Sequence, residues 1–239
     1  MTTSAPVPAL DRDMITRLRA DVIASSWTTD TLDELLSDGA LSALMRDSRL
    51  PALVELAGVD APAATLTRFF IGGQPERASA LDAALPTLGA AGLETLGLAA
   101  TIDEDEAASA LVMPRPCSKS APKRERAQAS EGEEASFPTA PALPTMRDPD
   151  EESEPEVVVD PWMRALYDLR PHAAALPGGE HEWWVTSDLG EGQTGKPLAD
   201  HHVMGIGGAT RTLLEMTVRD QVDSALDVGC GCGIQALYL

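Results

Sequence analysis

From residue 10 to about residue 97 the apolar positions recur at helical spacing: Met14, Leu18 and Val22, then Leu50, Leu53, Val54 and Ala57, then Leu66, Phe69 and Phe70. This pattern predicts short amphipathic helices packed on one another. Their punctuation agrees, with Asp11 and Asp30 as N-caps, Pro51 and Pro62 in first turns, and Gly72-Gly73 ending the helix of Phe69 and Phe70. Residues 75–102 read as a helix (Ala78, Leu81, Leu85), a turn at 86–89, a second helix near 93–96 and an extended stretch at 98–102. Helix, turn, helix, strand is the order of a winged-helix unit.

The pattern breaks at Asp103. From there to Asp160 acidic clusters (103–106, 131–134, 150–154), a basic island at 123–126 and several prolines replace the large apolar residues. Too little apolar surface is left to offset the entropy of ordering, so 103–160 is expected to be a disordered acidic insertion. Beyond it, Met163, Ala165, Tyr167 and Leu169 alternate with Arg164, Asp168 and Arg170, with Leu166 as the exception. This period-two stretch predicts a strand that pairs with 98–102, which makes the insertion a loop grafted into the helical domain. A further strand followed by a turn is expected within 181–190. A glycine-rich loop at 205–210 leads into a helix from Thr210 to about residue 219, with Leu213, Leu214 and Val218 for burial, and an apolar strand follows at 225–228. The resulting layout is a helical domain of residues 1–102 plus 161–170, the insertion 103–160, and the beginning of an α/β unit at 171–239. The overall class is α/β.

The chain has 239 residues and a formal net charge of −20. Affinity for a phosphate backbone comes mainly from Lys and Arg displacing counterions, so this balance argues against nucleic acid as partner and towards a protein or small molecule. The helix-turn-helix order at 75–102 has no basic stripe beside it. Only Cys117, Cys230 and Cys232 are present, and residues 1–10 lack the succession of a signal peptide, which leads us to expect a cytoplasmic protein. No apolar run reaches the ~18 residues of a spanning helix, so no membrane partner is expected.

Chemistry concentrates at the end of the sequence given, in Asp227-Val228-Gly229-Cys230-Gly231-Cys232-Gly233. Glycines suit a tight strand-to-helix reversal with positive φ, and a missing Cβ lets a ligand lie against the backbone. Gly231, Gly233 and Ala236 fit the dinucleotide pattern G-x-G-x-x-A of NAD and FAD sites. The whole segment fits D-x-G-x-G-x-G, the pattern of S-adenosylmethionine (SAM) sites. Asp227 favours SAM, because a carboxylate attracts its cationic amino and sulfonium groups and repels a pyrophosphate. A purely structural glycine turn is the third reading. The loop around Gly207 and Gly208 either closes over the cofactor or is a cap with Thr210 as N-cap.

Other motifs weigh less. Cys230 and Cys232 form a C-x-C pair without two further ligands. His181-Glu182 begins like a zincin helix, but the fifth residue is Val185 instead of His. The neighbours His201 and His202 precede the glycine loop, where one of them would be placed to contact substrate, but two adjacent surface histidines are incidental on the simplest reading. Trp183 and Trp184 point to opposite faces of a strand.

Three stretches carry a resemblance: 183–189 (Trp-Trp-Val-Thr-Ser-Asp-Leu), 202–209 (His-Val-Met-Gly-Ile-Gly-Gly-Ala) and 225–237 around the glycine turn. Through them the chain resembles class I SAM-dependent methyltransferases of the actinobacterial type with a helical N-terminal domain, related to the release-factor glutamine N5-methyltransferases. The resemblance covers roughly residues 10–102 and 161–239. It implies a winged-helix-like domain followed by a Rossmann-like catalytic domain, and methyl transfer to a nitrogen of a protein, nucleic acid or small molecule. Its SAM pocket would have Asp227, Gly229, Gly231 and Gly233 as first wall and Gly207 and Gly208 beside it. The family's Asn-Pro-Pro-Tyr motif and the acidic residue that holds the ribose do not occur in these 239 residues, and the acidic insertion is foreign to the pattern. The expectation is therefore the front part of such an enzyme, inactive alone. The alternative is a non-catalytic interaction protein with a vestigial turn.

Overall fold

The computed structural model describes residues 7–111, 159–218, 220 and 222–239. Asp11 opens α1 (Arg12–Ala24), its carboxylate accepting from the Asp13 and Met14 backbone N–H groups. Four short helices follow: α2 (Thr29–Leu35), α3 (Asp38–Leu44), α4 (Leu50–Glu55) and α5 (Pro62–Leu66). Thr28, not Asp30, caps α2, and Asp30 lies in the first turn, where its charge faces the positive end of the helix dipole. Helix α5 runs into a π turn at Thr67–Ile71 that ends at Gly72. A Cβ on Gly72 would stand 2.5 Å from the Arg68 carbonyl oxygen and 2.5 Å from Leu53 Cδ2, so packing requires glycine there.

The π turn carries the centre of the core. Phe69, Phe70 and Trp27 are completely buried. Trp27 stacks on Phe70 at 5.8 Å between centroids, and Phe69 meets Phe70 edge-on at 4.9 Å. The polar edge of Trp27 is satisfied as well: its Nε1–H donates to Thr67 Oγ1 at 2.9 Å, and the Thr67 hydroxyl donates to the Ala63 carbonyl at 2.7 Å.

Strand β1 (Glu76–Arg77), helices α6 (Ala78–Ala84) and α7 (Gly89–Thr95) and strand β2 (Ala99–Ile102) come next. The expected pairing is present: β3 (Trp162–Ala165) runs antiparallel to β2 with Ala99 opposite Ala165 and Ile102 opposite Trp162, and β1 adds on its other side. The stretch read as one strand to Leu169 is two. The Leu166 N–H donates to the Leu98 carbonyl, the alternation breaks, and β4 (Tyr167–Leu176) leaves the first sheet to pair with β5 (Gly179–Asp188) in a second one. Strand β4 passes through residues 170 and 171 without interruption, so the division expected there falls inside a strand.

The insertion also starts later than its composition suggests. Asp103 caps α8 (Glu104–Ala110), whose Ala107 is buried and whose acids pair with Arg77 (Glu104, 3.1 Å) and Arg164 (Glu106, 3.0 Å). Three carboxylates in the first turn suit the helix dipole, which explains why an acidic run folds here. The disorder expected for the remainder concerns 112–158, outside the described residues. At the far boundary the Asp160 carboxylate accepts from the Ser79 N–H (2.9 Å) and hydroxyl (2.7 Å), and Arg77 lies 4.1 Å over the Trp162 ring.

The β4–β5 hairpin is a wall with two working faces. Leu169 and Trp184 turn towards the helical core, where Trp184 Nε1–H donates to the Trp27 carbonyl at 2.8 Å. On the opposite face Val185 packs with Leu214 and Ile234. The tryptophans at 183 and 184 do point to opposite faces. Helices α9 (Glu191–Thr194), α10 (Gly208–Met216) and α11 (Ile234–Leu237) complete the chain.

Two further expectations fail in this last part. Residues 225–228 form no strand, and Leu226 and Val228 are exposed, because no neighbouring strand among the described residues pairs with them. Thr210 lies inside α10, which begins two residues earlier behind Gly207, and of the three apolar residues expected to be buried only Leu214 is. The structure is thus a mixed helix-and-sheet fold in which every strand pair among the described residues is antiparallel. Among the same residues, no helix is long and apolar enough to cross a membrane.

Candidate functional site

The site is assembled on the outer face of the hairpin. Gly205 lies so close to β5 that a Cβ on it would stand 2.9 Å from Ser187 Oγ. Just before it, the Asp188 N–H donates to the Val203 carbonyl and the Val203 N–H to Asp188 Oδ2. These contacts deliver Gly207, the N-cap of α10, and Gly208, its first residue. Gly207 has an ordinary φ of −98°, and a Cβ on either glycine would meet nothing within 4 Å. No local strain or crowding demands glycine at these two positions, and the space above them is open.

The second glycine segment needs glycine for its backbone. Gly229, Gly231 and Gly233 have φ of +75°, +53° and +78°, the left-handed region in which a side chain costs roughly 1–2 kcal/mol. The Gly233 N–H closes the turn on the Cys230 carbonyl at 2.8 Å. Space over all three glycines is open. Cys230 and Cys232 are free thiols, the first exposed and the second packed beside Ile234. Two residues ahead of Gly229, the half-buried Asp227 has its Oδ2 shielded from solvent and without a hydrogen-bond partner among the described residues. A buried carboxylate oxygen without a donor is costly and therefore uncommon, and the missing donor is the feature that a cationic or N–H-bearing ligand would supply.

Ile234 and Tyr238 hold the turn in place. Ile234 is buried against Val185 and Leu214, Gln235 Nε2 donates to the Thr210 carbonyl at 3.3 Å, and Tyr238 Oη lies 2.8 Å from His172 Nε2. The two glycine segments, 207–208 and 229–233, therefore rest on one small core. His172 belongs to a ring cluster with Trp183, directly across the ladder, with His181 stacked on Trp183 at 5.7 Å and Tyr238 closing the group. Burial, and then the positive charge of Arg211, push the His172 imidazole below its ordinary range. Sequence reasoning missed His172 and Tyr238. The signal was the Pro177-Gly178 turn, which fixes the hairpin register and so places His172 opposite Trp183.

A second polar group ties this half to the helical core. Asp168, 2% exposed, accepts from Arg170 Nε and Nη2 at 2.6 Å each and from Gln193 Nε2 at 2.9 Å. Gln193 also donates to the carbonyls of Phe70 and Ile71, acceptors that the π turn leaves available. Burial works against the Arg170 charge, but the bond to Asp168 and the charges of Asp168 and Asp47 outweigh it and raise its pKa.

A family model for a domain of unknown function (DUF7059) matches residues 24–110, from the end of α1 to the last residue of α8. Searches of curated proteins and of solved structures give no match.

Proposed function

We propose that this chain belongs to a class I SAM-dependent methyltransferase, with a winged-helix-like helical domain joined to a cofactor-binding turn of the Rossmann-like type. The observation that carries the reading is Asp227 Oδ2, shielded from solvent and without a donor among the described residues, two residues before three alternate glycines that all have positive φ. When bound, SAM supplies a methyl group activated by its sulfonium. The chain's own part is to bind and orient. Asp227 offers a carboxylate to the cationic end, Gly229, Gly231 and Gly233 let the ligand lie against bare backbone, and Gly207 and Gly208, which rest on the same small core, leave room for a ligand over the start of α10. A dinucleotide is the weaker candidate, since its pyrophosphate would lie beside that carboxylate. The helix-turn-helix-strand order of α6, α7 and β2, with β3 antiparallel to β2, supports the winged-helix-like part. The net charge of −20 favours a protein or small-molecule nitrogen as methyl acceptor over nucleic acid.

One observation favours a different reading, a non-catalytic interaction protein with a vestigial turn: residues 225–228 form no strand and expose Leu226 and Val228. Titration of isotope-labelled residues 1–239 with SAM, followed by amide chemical shifts, separates the two. With one wall of a site, affinity weaker than low micromolar is expected, with shifts centred on Gly229, Gly231 and Gly233. Gly231→Val should abolish them, and Asp227→Asn should weaken them less. No shift at these amides up to millimolar SAM, or equal shifts with NAD, would overturn the methyltransferase reading.

A further inference from the structure

Among the described residues, strand β5 is paired on one side only, because its sheet has two strands. Which backbone groups face the free side follows from the ladder. The Asp188 N–H points away from β4, since it donates to Val203, and along a strand this direction alternates from residue to residue. Pro171, which has no N–H, lies opposite Trp184, consistent with a pair that exchanges no ladder bonds. The N–H and C=O groups of Glu180, Glu182, Trp184 and Thr186 therefore all face outward. A ten-residue strand with an open edge is a template that folded proteins ordinarily cover or blunt.

That edge borders a cleft of about 680 Å³ whose far wall is mostly apolar, with Ile15, Leu18 and Val22 of α1 and Leu96 and Leu98 beside them, and to which Arg19 of α1 adds a cation. The size and the apolar lining are those of a binding cleft. Polarity is graded along it. Trp184 and Thr186 sit at one end of the β5 edge, and the carboxylates Glu180 and Glu182 at the other, on the same face of the strand. Glu182 is anchored by the Thr29 N–H at 2.9 Å, and Glu180 is exposed. The protein already uses this edge once, since Val203 is seated on it at Asp188.

We propose that the free edge of β5 from Glu180 to Thr186 docks an extended segment of a partner polypeptide as an added strand, with apolar side chains towards Trp184 and α1 and basic side chains towards Glu180 and Glu182. Backbone bonds to the edge supply the grip, and the graded cleft supplies the choice of sequence. The site is independent of whether the glycine turn holds SAM. Seven extended residues span about 23 Å, enough to cover the four outward-facing residues.

The test uses the whole chain and two capped heptapeptides, Val-Ser-Val-Ser-Lys-Ser-Lys and its counterpart with Glu in place of Lys. The basic peptide should slow amide exchange at Glu182, Trp184 and Thr186 and bind at least ~5-fold more tightly than the acidic one at low salt. Glu180→Lys, an exposed substitution that leaves folding untouched, should erase that preference. Thr186→Pro, which removes an outward N–H as Pro171 does on β4, should weaken both peptides. Equal binding of the two peptides, protection confined to the odd-numbered amides, or the same protection appearing without peptide as protein concentration rises would each overturn the proposal.

Discussion

On one side of the β4–β5 hairpin, Trp27, Phe69 and Phe70 are wholly enclosed by α1, α5, the π turn and α7. On the other, Leu226 and Val228 stand 86% and 85% exposed. The helical side closes its core with its own elements and satisfies even the Trp27 N–H internally. The apolar cluster on the glycine-turn side has three buried members among the described residues, Val185, Leu214 and Ile234, and that side exposes Met204, Leu213, Met216 and Val218. Local amphipathic helices bury their stripes against one another, whereas a strand of the parallel-sheet type needs neighbours on both sides and helices on both faces before it is stable. The difference separates a region that closes a large aromatic core from one that closes only a small cluster.

The largest effect expected is therefore at the centre of the helical side. Phe70→Ala should cost about 3–5 kcal/mol in denaturant unfolding, through lost burial and a cavity between Trp27 and Phe69. Leu226→Ala should change stability by less than about 0.5 kcal/mol, the usual range for a surface substitution. Similar losses for the two would break the comparison, because Leu226 would then be packed in solution.

The polar tie across the hairpin ranks next. Asp168→Ala leaves Arg170 and Gln193 without their common acceptor. Because Arg170 remains 34% exposed, the cost should fall at the low end for a broken buried pair, about 3 kcal/mol. Gln193→Ala should cost about 1 kcal/mol, the net worth of an ordinary hydrogen bond. If Asp168→Ala also accelerates amide exchange in α10, the tie sharpens the comparison by showing that the weaker side leans on the stronger one. Unchanged exchange in α10 would show that the two sides are energetically separate.

A smaller effect is expected from acid. In the folded protein His172 takes up its proton at lower pH than in the unfolded chain, where an imidazole titrates near about 6.5. The unfolded state then binds more protons in that window. The contribution of His172 to stability is complete above about pH 6.5 and is lost as pH falls towards its depressed value. His172→Phe should flatten the melting temperature between pH 7 and pH 5.5. Tyr238→Phe, which removes the hydrogen bond but keeps the ring, should cost about 1 kcal/mol at pH 7.5. A melting curve whose pH dependence is the same with and without His172 would remove this group from the account.

How much of this was legible in sequence depends on whether the deciding contact is local. The N-cap at Asp11, the prolines of α4 and α5 and the alternation that pairs β2 with β3 are all set by near neighbours, and they read directly. Leu166, out of phase with its strand, marked the switch between two sheets without saying that there were two. The strand expected at 225–228 failed for the opposite reason: its apolar run is right for a buried strand, but burial depends on neighbours that periodicity cannot supply. Helix α8 was missed because acidic composition was weighed as a bar to folding, although three carboxylates in a first turn with Ala107 behind them favour a helix. At the candidate site, the spacing of Asp227, Gly229, Gly231 and Gly233 announced the positive-φ turn. Tyr238 and His172 were invisible because 66 residues separate them.

The smallest effect expected tests the boundary of the stronger side. Replacing 112–158 with a flexible linker of about ten residues leaves α8 on β3 through Glu106 and Arg164, and leaves Asp160 on Ser79 and Arg77 over Trp162. These contacts close the structure at both ends of the excised segment. Ser79 holds the Asp160 carboxyl below the usual carboxylate range through its hydroxyl and then its N–H. This closure therefore persists above the ordinary carboxylate pKa and weakens only as pH falls through the lowered value. Loop-closure entropy grows with the logarithm of length, about 0.6 kcal/mol for each doubling, so the shorter connection should stabilise the protein by roughly 1 kcal/mol or less. The excised segment should also be where limited proteolysis first cuts the intact chain, with α8 and β3 surviving. A loss of more than about 2 kcal/mol on deletion would mean that residues 112–158 pack on the helical side. The helical side would then be borrowing part of its core from the acidic segment.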